Sequence, residues 1–161
     1  MLEEEIGTAM QIQSIQWHWV WTPDAEEFAT CGDFNLYMGY CDSDELGSGF
    51  EDNYVPGTRT LVYSNPSLYV TAGAGGWTPV NLSTPFWYDG SGNLIIEVEW
   101  ANDFDDNSFY CGQWNTGSTR CLKVEDNGPA QLDSNVTHMI LTGVLGLDTG
   151  SFGEIKTCVS I

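Results

Sequence analysis

The sequence predicts an all-β fold, a single jelly-roll-like antiparallel β-sandwich. Three observations support this: apolar residues alternate along short segments, Gly-rich turns separate those segments, and almost no helical pattern is present. The length of 161 residues fits one domain. We divide the chain into a β-sandwich domain, residues 12–161, and an N-terminal extension, residues 1–11, which is a candidate inter-subunit strand.

The predicted strands follow one another along almost the whole chain. Residues 14–21 place an apolar side chain, three of them Trp, at every second position, and residues 34–40 repeat this pattern. The other predicted strands cover 61–63, 68–70, 80–82, 94–100, 120–124, 138–142 and 155–161. The candidate helix is one short turn, Pro23 to Phe28. About nine short strands of this kind are typical of a sandwich or barrel.

The charge of the chain excludes several classes of partner. There are 23 acidic and 4 basic side chains, for a formal net charge of −19. Phosphate contacts require Lys and Arg, so nucleic-acid binding is not expected, and an anionic membrane surface is disfavoured for the same reason. No apolar run approaches the length of a membrane helix, so membrane insertion is not expected. Cations, sugars and other protein chains remain as partners.

The cysteines indicate an oxidising compartment. Cys31 and Cys41 are ten residues apart, as are Cys111 and Cys121, and none of these spacings is of the CxxC type. We predict the disulfides Cys31–Cys41 and Cys111–Cys121, and an extracellular or cell-surface location with a leader already removed. Unrelated buried thiols are the alternative. Cys158 is left over, which suggests a free thiol or an inter-subunit bridge.

One segment resembles a known kind of module. It begins Gly76-Trp77-Thr78-Pro79, and its later part reads Pro85-Phe86-Trp87-Tyr88-Asp89-Gly90-Ser91-Gly92-Asn93-Leu94-Ile95-Ile96-Glu97-Val98. Upstream, Phe34-Asn35-Leu36-Tyr37-Met38-Gly39 fits the preceding strand. This pattern is similar to the signature GW…PF.Y.G..NL.IEV of a jelly-roll β-sandwich module of bacterial secreted and surface proteins. The resemblance implies an extracellular β-sandwich and supplies no catalytic residues.

Two carboxylates on one strand raise the question of glycoside hydrolysis. Glu97 and Glu99 lie two residues apart, which places them about 7 Å from each other on one face. Retaining glycosidases use carboxyls about 5.5 Å apart, but they also need an acid of raised pKa in a cleft, which nothing in the sequence marks. We expect two solvated glutamates and predict that the chain is not an enzyme.

Acidic loops indicate calcium. Closely spaced Asp and Asn residues offer several of the six to eight oxygen ligands that Ca²⁺ takes, although none of the loops matches an EF-hand. Plain solvated acid is the alternative. We predict tentative Ca²⁺ binding with the candidate ligands Asp42, Asp44, Asp103, Asp105 and Asp106.

Three functions compete on the sequence. The first is an extracellular structural subunit that assembles with copies of itself into a surface fibre or coat, by strand donation and with calcium as a stabiliser. The second is a carbohydrate-binding module for polysaccharide, with glycan contacts at Trp87, Tyr88 and Trp114. The third is a glycosidase. We favour the first because the odd cysteine and the strand-like termini suit a homopolymer.

Overall fold

The computed structural model of the chain describes residues 1–22, 27–72, 76–103, 109–124 and 128–146. Within these ranges there are eleven strands, one short helix and one 3-10 turn. They are, in chain order, α1 (Glu3–Ile6), β1 (Met10–His18), β2 (Phe28–Cys41), the 3-10 turn (Glu51–Asn53), β3 (Thr60–Thr71), β4 (Trp77–Tyr88), β5 (Asn93–Glu99), β6 (Asn102–Asp103), β7 (Gln113–Asn115), β8 (Cys121–Lys123), β9 (Gln131–Asp133), β10 (Asn135–Thr137) and β11 (Met139–Leu145).

Two antiparallel sheets form the body of the fold. The first has the order β11-β1-β4, so β1, the first strand of the chain, lies between β4 and β11, the last described strand. The second has the order β3-β2-β5, with β6 paired to β2 beyond the end of β5. Two small hairpin-like pairs, β7 with β10 and β8 with β9, lie outside these sheets. The predicted all-β sandwich is therefore confirmed.

Alternating apolar residues of both sheets meet in one core. In β2, Leu36 and Met38 are fully buried, as are Ile12 and Ile15 in β1. Alternation predicted Leu36, Met38 and Ile15, because successive side chains of a strand point to opposite faces. Ile12 is out of phase with Ile15, and both are buried because the register shifts between Ile12 and Ser14. The buried members of the core are Ile6, Met10, Ile12, Ile15, Phe34, Leu36, Met38, Val62, Leu68, Val80, Phe86, Tyr88, Leu94 and Leu141.

Prolines do not end the strands in which they lie. The predicted strand 80–82 ended before Pro85, but β4 continues through both Pro79 and Pro85 to Tyr88. In the same way β3 runs through Pro66 and joins two predicted short strands. Both β3 and β4 are edge strands, and an edge strand accommodates proline because one side of its backbone needs no partner in the sheet.

Some predicted elements lie at the limits of the described ranges. The candidate helix Pro23 to Phe28 falls mostly on residues outside them, and Phe28 begins β2. The predicted strand 155–161 also lies outside them. The predicted strand 14–21 extended to Trp21, but β1 ends at His18 and Trp21 is 70% exposed. No helix within the described part of the chain is long and apolar enough to cross a membrane.

Candidate functional site

The strand β5 has an edge that is largely open. Its inner side pairs with β2, and on its outer side the backbone of Leu94 exchanges two hydrogen bonds with Met1, at 2.7 and 2.9 Å. Backbone groups alternate in direction along an antiparallel strand, so those of Ile96 and Val98 also point outward. No described residue pairs with the outward groups of Ile96 or Val98. Within the described part of the chain, the outer edge of β5 therefore offers unused backbone donors and acceptors.

A groove runs along this open edge. Its volume is about 660 Å³, and Leu94 to Val98 form one wall. The facing wall comes from the segments around β7, β8 and β10, with Trp114, Leu122 and Val136 among its apolar side chains. Residues 137–139 continue this wall to the start of β11, on the other sheet. The groove thus opens between the free edge strands of the two sheets, and apolar atoms dominate its surface.

The N-terminal extension closes one end of the groove. Glu5 accepts a hydrogen bond from the backbone N–H of Leu2 and forms a salt bridge with Arg120. Burial works against the charge of Glu5, but the Arg120 hydrogen bond and the Leu2 amide outweigh it and hold its pKa below the ordinary value. Ile6 is buried in the core. These contacts fix the extension to its own chain, so that Met1 lies beside Leu94.

A charged network covers the outer face of the second sheet beside the groove. Arg59 donates from Nε and Nη2 to the two carboxylate oxygens of Glu97, both at 2.9 Å, and its guanidinium lies 3.6 Å from the centre of the Tyr37 ring. Tyr54 donates its hydroxyl to Glu97 at 2.6 Å. Arg59 also reaches Glu99 at 3.0 Å. Because Arg59 precedes β3, this network links β3 to β5 across β2.

This network separates the ionisation of the two glutamates. Burial disfavours the charged form of Glu97, but hydrogen bonds from Arg59 and Tyr54 outweigh it and hold its pKa below the ordinary value. Burial and the neighbouring Glu97 raise the pKa of Glu99. We expected two solvated glutamates, and for Glu97 this is wrong: it is only 8% exposed. One arginine holds both carboxylates, so their arrangement is that of a structural ion pair.

The three predicted glycan contacts do not lie together. Trp114 lines the groove and is 44% exposed. Trp87 is 53% exposed but lies on β4, in the other sheet. Tyr88 is fully buried and donates its hydroxyl to the backbone oxygen of Gly92, so the prediction that it contacts a glycan is wrong. Alternation along β4 explains this, since neighbouring residues point to opposite faces.

The predicted disulfides are also wrong. Cys31 and Cys41 lie on the same strand, β2, and ten residues of extended chain span about 33 Å, far beyond the 4.4–6.8 Å that joins bridged Cα atoms. Cys111 pairs with Trp19, whereas Cys121 pairs with Asp133 in β9, and no described cysteines are at disulfide distance. Cys158 lies outside the described residues.

Two of these thiols have pKa values that burial raises. Burial, with a smaller effect of the neighbouring Cys31, raises the pKa of Cys111 to about 11. Burial and the Asp133 carboxylate raise the pKa of Cys121, which lines the groove. Both thiols are therefore protonated at neutral pH, which slows their reaction as nucleophiles.

The structure separates the candidate calcium ligands. Asp42 and Asp44 follow the end of β2, and Asp44 accepts a hydrogen bond of 2.9 Å from the side chain of Asn93. Asp103 lies in β6, which pairs with the opposite half of β2, so these residues do not share one ion. Asp105 and Asp106 lie outside the described residues. The described residues hold no group of three or more metal-ligating side chains of the His, Cys, Asp and Glu types, and calcium binding stays a prediction.

Sequence reasoning missed the groove and the Arg59 network. The groove depends on residues that are close in space but lie in four separate stretches of the chain, around 1–5, 46–54, 94–98 and 113–139. Arg59 and Tyr54 are about 40 residues from Glu97 in sequence. One signal was available in the sequence. Glu97 lies between the apolar residues Ile96 and Val98, and a buried glutamate needs a basic or hydrogen-bonding partner, for which the chain has only four basic side chains.

Comparison with known proteins places the chain in no family. No family model matches it, and neither a curated protein nor a solved structure is significantly similar to it.

Proposed function

We propose that this chain is a self-assembling subunit of an extracellular fibre or coat, and that it accepts a β-strand from another copy in the groove along β5. The observation that carries the proposal is the open edge of β5, where the backbone groups of Ile96 and Val98 have no partner among the described residues. An unpaired edge is a template for an added strand. The apolar walls of the groove give the side chains of that strand a place to pack.

Strand addition at this site would produce an assembly that grows by one subunit at a time. The donated strand and the accepting groove are different surfaces, so the contact is head-to-tail and need not close on itself. Main-chain hydrogen bonds supply affinity, and pockets for alternate side chains supply specificity. A filament or coat is the expected product. The extracellular location rests on the resemblance to modules of secreted proteins, since the predicted disulfides that also favoured it are wrong.

The N-terminal extension has a different part in this proposal from the one first expected. Residues 1–11 were a candidate donor strand, but Met1 pairs with Leu94, while Ile6 and Met10 are buried in the core of the same chain. Release of this segment would expose those side chains and break the Arg120–Glu5 salt bridge. We therefore assign it the role of bracing the accepting edge.

The test is to remove one outward backbone donor. Val98→Pro deletes the N–H that points into the groove and leaves the pairing with β2 intact, because the N–H groups of its neighbours face β2. Glu27→Pro, at an exposed position just before β2, is the matched control. Light scattering and electron microscopy of the purified chain should show assembly of the control and of the unmodified chain but not of Val98→Pro. Assembly of all three, or of none, contradicts the proposal.

One observation favours a second function, carbohydrate binding. Trp114 is exposed and lines the groove, and Gln113 and Asn135 are also among the residues that line it. A sugar needs an aromatic face for its apolar side and amides for its hydroxyls. A glycan array with the unmodified chain and Trp114→Ala tests this function. Binding that Trp114→Ala abolishes would support it, and a blank array would exclude the glycans tested.

A further inference from the structure

The groove along β5 has an occupant that the sequence itself supplies. Resting on the proposed function, we propose that residues 155–161 of a second copy of this chain are the donated strand. The segment reads Ile155-Lys156-Thr157-Cys158-Val159-Ser160-Ile161, with apolar or β-branched side chains at every second position. It lies outside the described residues, and the described strands of both sheets are formed by residues 10–145.

The side-chain pattern of this segment matches the faces of β5. Leu94, Ile96 and Val98 face the core, but Ile96 and Val98 are only partly buried, because the sheet ends there. A strand added at the edge continues both faces of the sheet, so its own apolar residues would cover Ile96 and Val98. The four apolar or β-branched positions of the segment suffice for this, since the open part of the edge spans only Ile95 to Val98.

The charge of the segment also suits a contact between two copies of this acidic chain. Two copies of a chain with a net charge of −19 repel each other, and a donor strand rich in Asp or Glu would add to that repulsion. Residues 155–161 contain no acidic side chain and carry Lys156. The other three basic residues are Arg59, Arg120 and Lys123, and each already forms a salt bridge within its own chain.

The polar face of the segment has an acidic match on the outer face of β5, beside the groove. With the apolar positions over Ile96 and Val98, Lys156 falls on the face of the sheet that carries Glu97 and Glu99. Glu99 is the more exposed of the two carboxylates, with a side chain 48% accessible. Lys156 of the donor can therefore approach an acidic position of the acceptor.

The chain is long enough to deliver the segment. The described part ends at Gly146, whose backbone N–H bonds to Ala9 beside the first sheet. Residues 147–154 then span at most about 28 Å when extended, which allows residues 155–161 to leave their own subunit. The alternative, insertion into the groove of the same chain, is an outcome that the experiment detects.

The first experiment uses two thiols that the chain already has. Cys158 lies in the proposed donor and Cys121 lines the groove. Equal amounts of unlabelled and ¹⁵N-labelled full-length chain are mixed, allowed to assemble, and treated with a short bismaleimide for several hours at about pH 8.5, because the Cys121 thiol reacts slowly at neutral pH. The products are mapped by mass spectrometry. We expect Cys121–Cys158 cross-links that join labelled to unlabelled peptides, and Cys158→Ser should remove them. Cross-links only between peptides of the same label mean insertion in the same chain and overturn the proposal.

The second experiment separates failure of this inference from failure of the proposed function. Val159→Pro in the full chain removes a backbone donor from the proposed strand, and Ser151→Pro places the same residue outside it. Assembly should fall at least tenfold in Val159→Pro and stay unchanged in Ser151→Pro. An excess of a synthetic peptide of residues 153–161 should also block assembly of the unmodified chain. That result does not depend on how the proline variants fold.

The outcomes of these experiments distinguish the assignment of the donor segment from the proposed function. If Val98→Pro stops assembly while Val159→Pro and the peptide do not affect it, the groove is the acceptor but another segment is the donor. The inference on residues 155–161 is then wrong and the proposed function stands. If none of the three changes assembly, both are wrong.

Discussion

The two sides of the sandwich are built differently. On one side the edge strands β3 and β4 contact each other and contain Pro66, Pro79 and Pro85. On the other side β5 lines the groove, β11 reaches it at Met139, and neither strand contains proline. Proline on an edge strand discourages pairing with another chain. Among the edge strands that the structure describes, proline therefore protects those on the β3–β4 side against strand addition, and the proposed assembly uses the other side.

Arg59 connects these two sides through its salt bridge with Glu97. Loss of this salt bridge should cause the largest decrease in the free energy of unfolding. Glu97→Gln leaves the Arg59 guanidinium facing a neutral amide in a site where the glutamate is buried. Breaking a fully buried ion pair costs about 3–5 kcal/mol, and we expect about 2–3 kcal/mol here because Arg59 is 29% exposed. Urea unfolding measures the change. Glu99→Gln is the control, with about 0.5 kcal/mol expected, and equal losses in the two variants would contradict the network.

A Val→Ala substitution on each side measures how tightly that side of the sandwich is packed. Val62 in β3 is buried in the core, whereas Val98 in β5 borders the groove and is partly buried. Val62→Ala should cost about 2 kcal/mol, since it leaves a cavity among packed neighbours. Val98→Ala should cost about 1 kcal/mol or less, because the groove is already open there. Thermal unfolding of the unassembled chain distinguishes them. A larger loss for Val98→Ala would mean that the β5 side is as closed as the β3 side.

Acid should weaken the salt bridge between Glu97 and Arg59 that links β3 to β5. The pKa of Glu97 is lowered in the folded chain, so the unfolded chain binds more protons below about pH 4.5. The stability that Glu97 contributes is therefore complete above this pH and is lost as the pH falls through its folded pKa. Glu99, whose pKa is raised, acts in the opposite direction. The difference in unfolding free energy between the unmodified chain and Glu97→Gln should shrink between pH 7 and pH 3. A constant difference would contradict this prediction.

Calcium should have the smallest effect, and only at the loop next to the start of β5. Asp42 and Asp44 lie there, and Asp44 already bonds to Asn93. Binding to the folded chain alone stabilises it by about 1 kcal/mol when calcium is several times its Kd. We expect the melting temperature to rise by a few degrees in calcium relative to a chelator, and Asp42→Asn with Asp44→Asn to remove the rise. The same melting temperature in both solutions would end the calcium prediction.

Local patterns predicted most of the fold. Alternation was sufficient to identify Leu36, Met38 and Ile15 as core residues because side-chain direction in a strand depends only on position. The ends of strands were less predictable. A proline interrupts a central strand but not an edge strand. The sequence does not indicate which strands lie at an edge, so it could not show that β4 continues through Pro85.

The site depended on information that no local pattern contains. Equal spacing suggested a Cys31–Cys41 bridge, which requires a turn between them, but β2 continues for fourteen residues and holds them apart. The groove and the Arg59–Glu97 pair bring together residues far apart in sequence, so their prediction needs the sheet order. Tyr88 shows the converse. Its aromatic type suggested a ligand contact, and its position on the buried face of β4 decided otherwise.

The pairing of β1 with β11 has a consequence for how the chain folds. Met10 lies opposite Leu145, so the first sheet cannot be completed until almost the whole described chain has been synthesised. Contacts of such long range slow folding to the range of milliseconds to seconds. The β2–β3 pair needs far shorter loops and can form earlier. During synthesis, the edge of β1 that pairs with β11 therefore stays unpaired until the last described strand has been made.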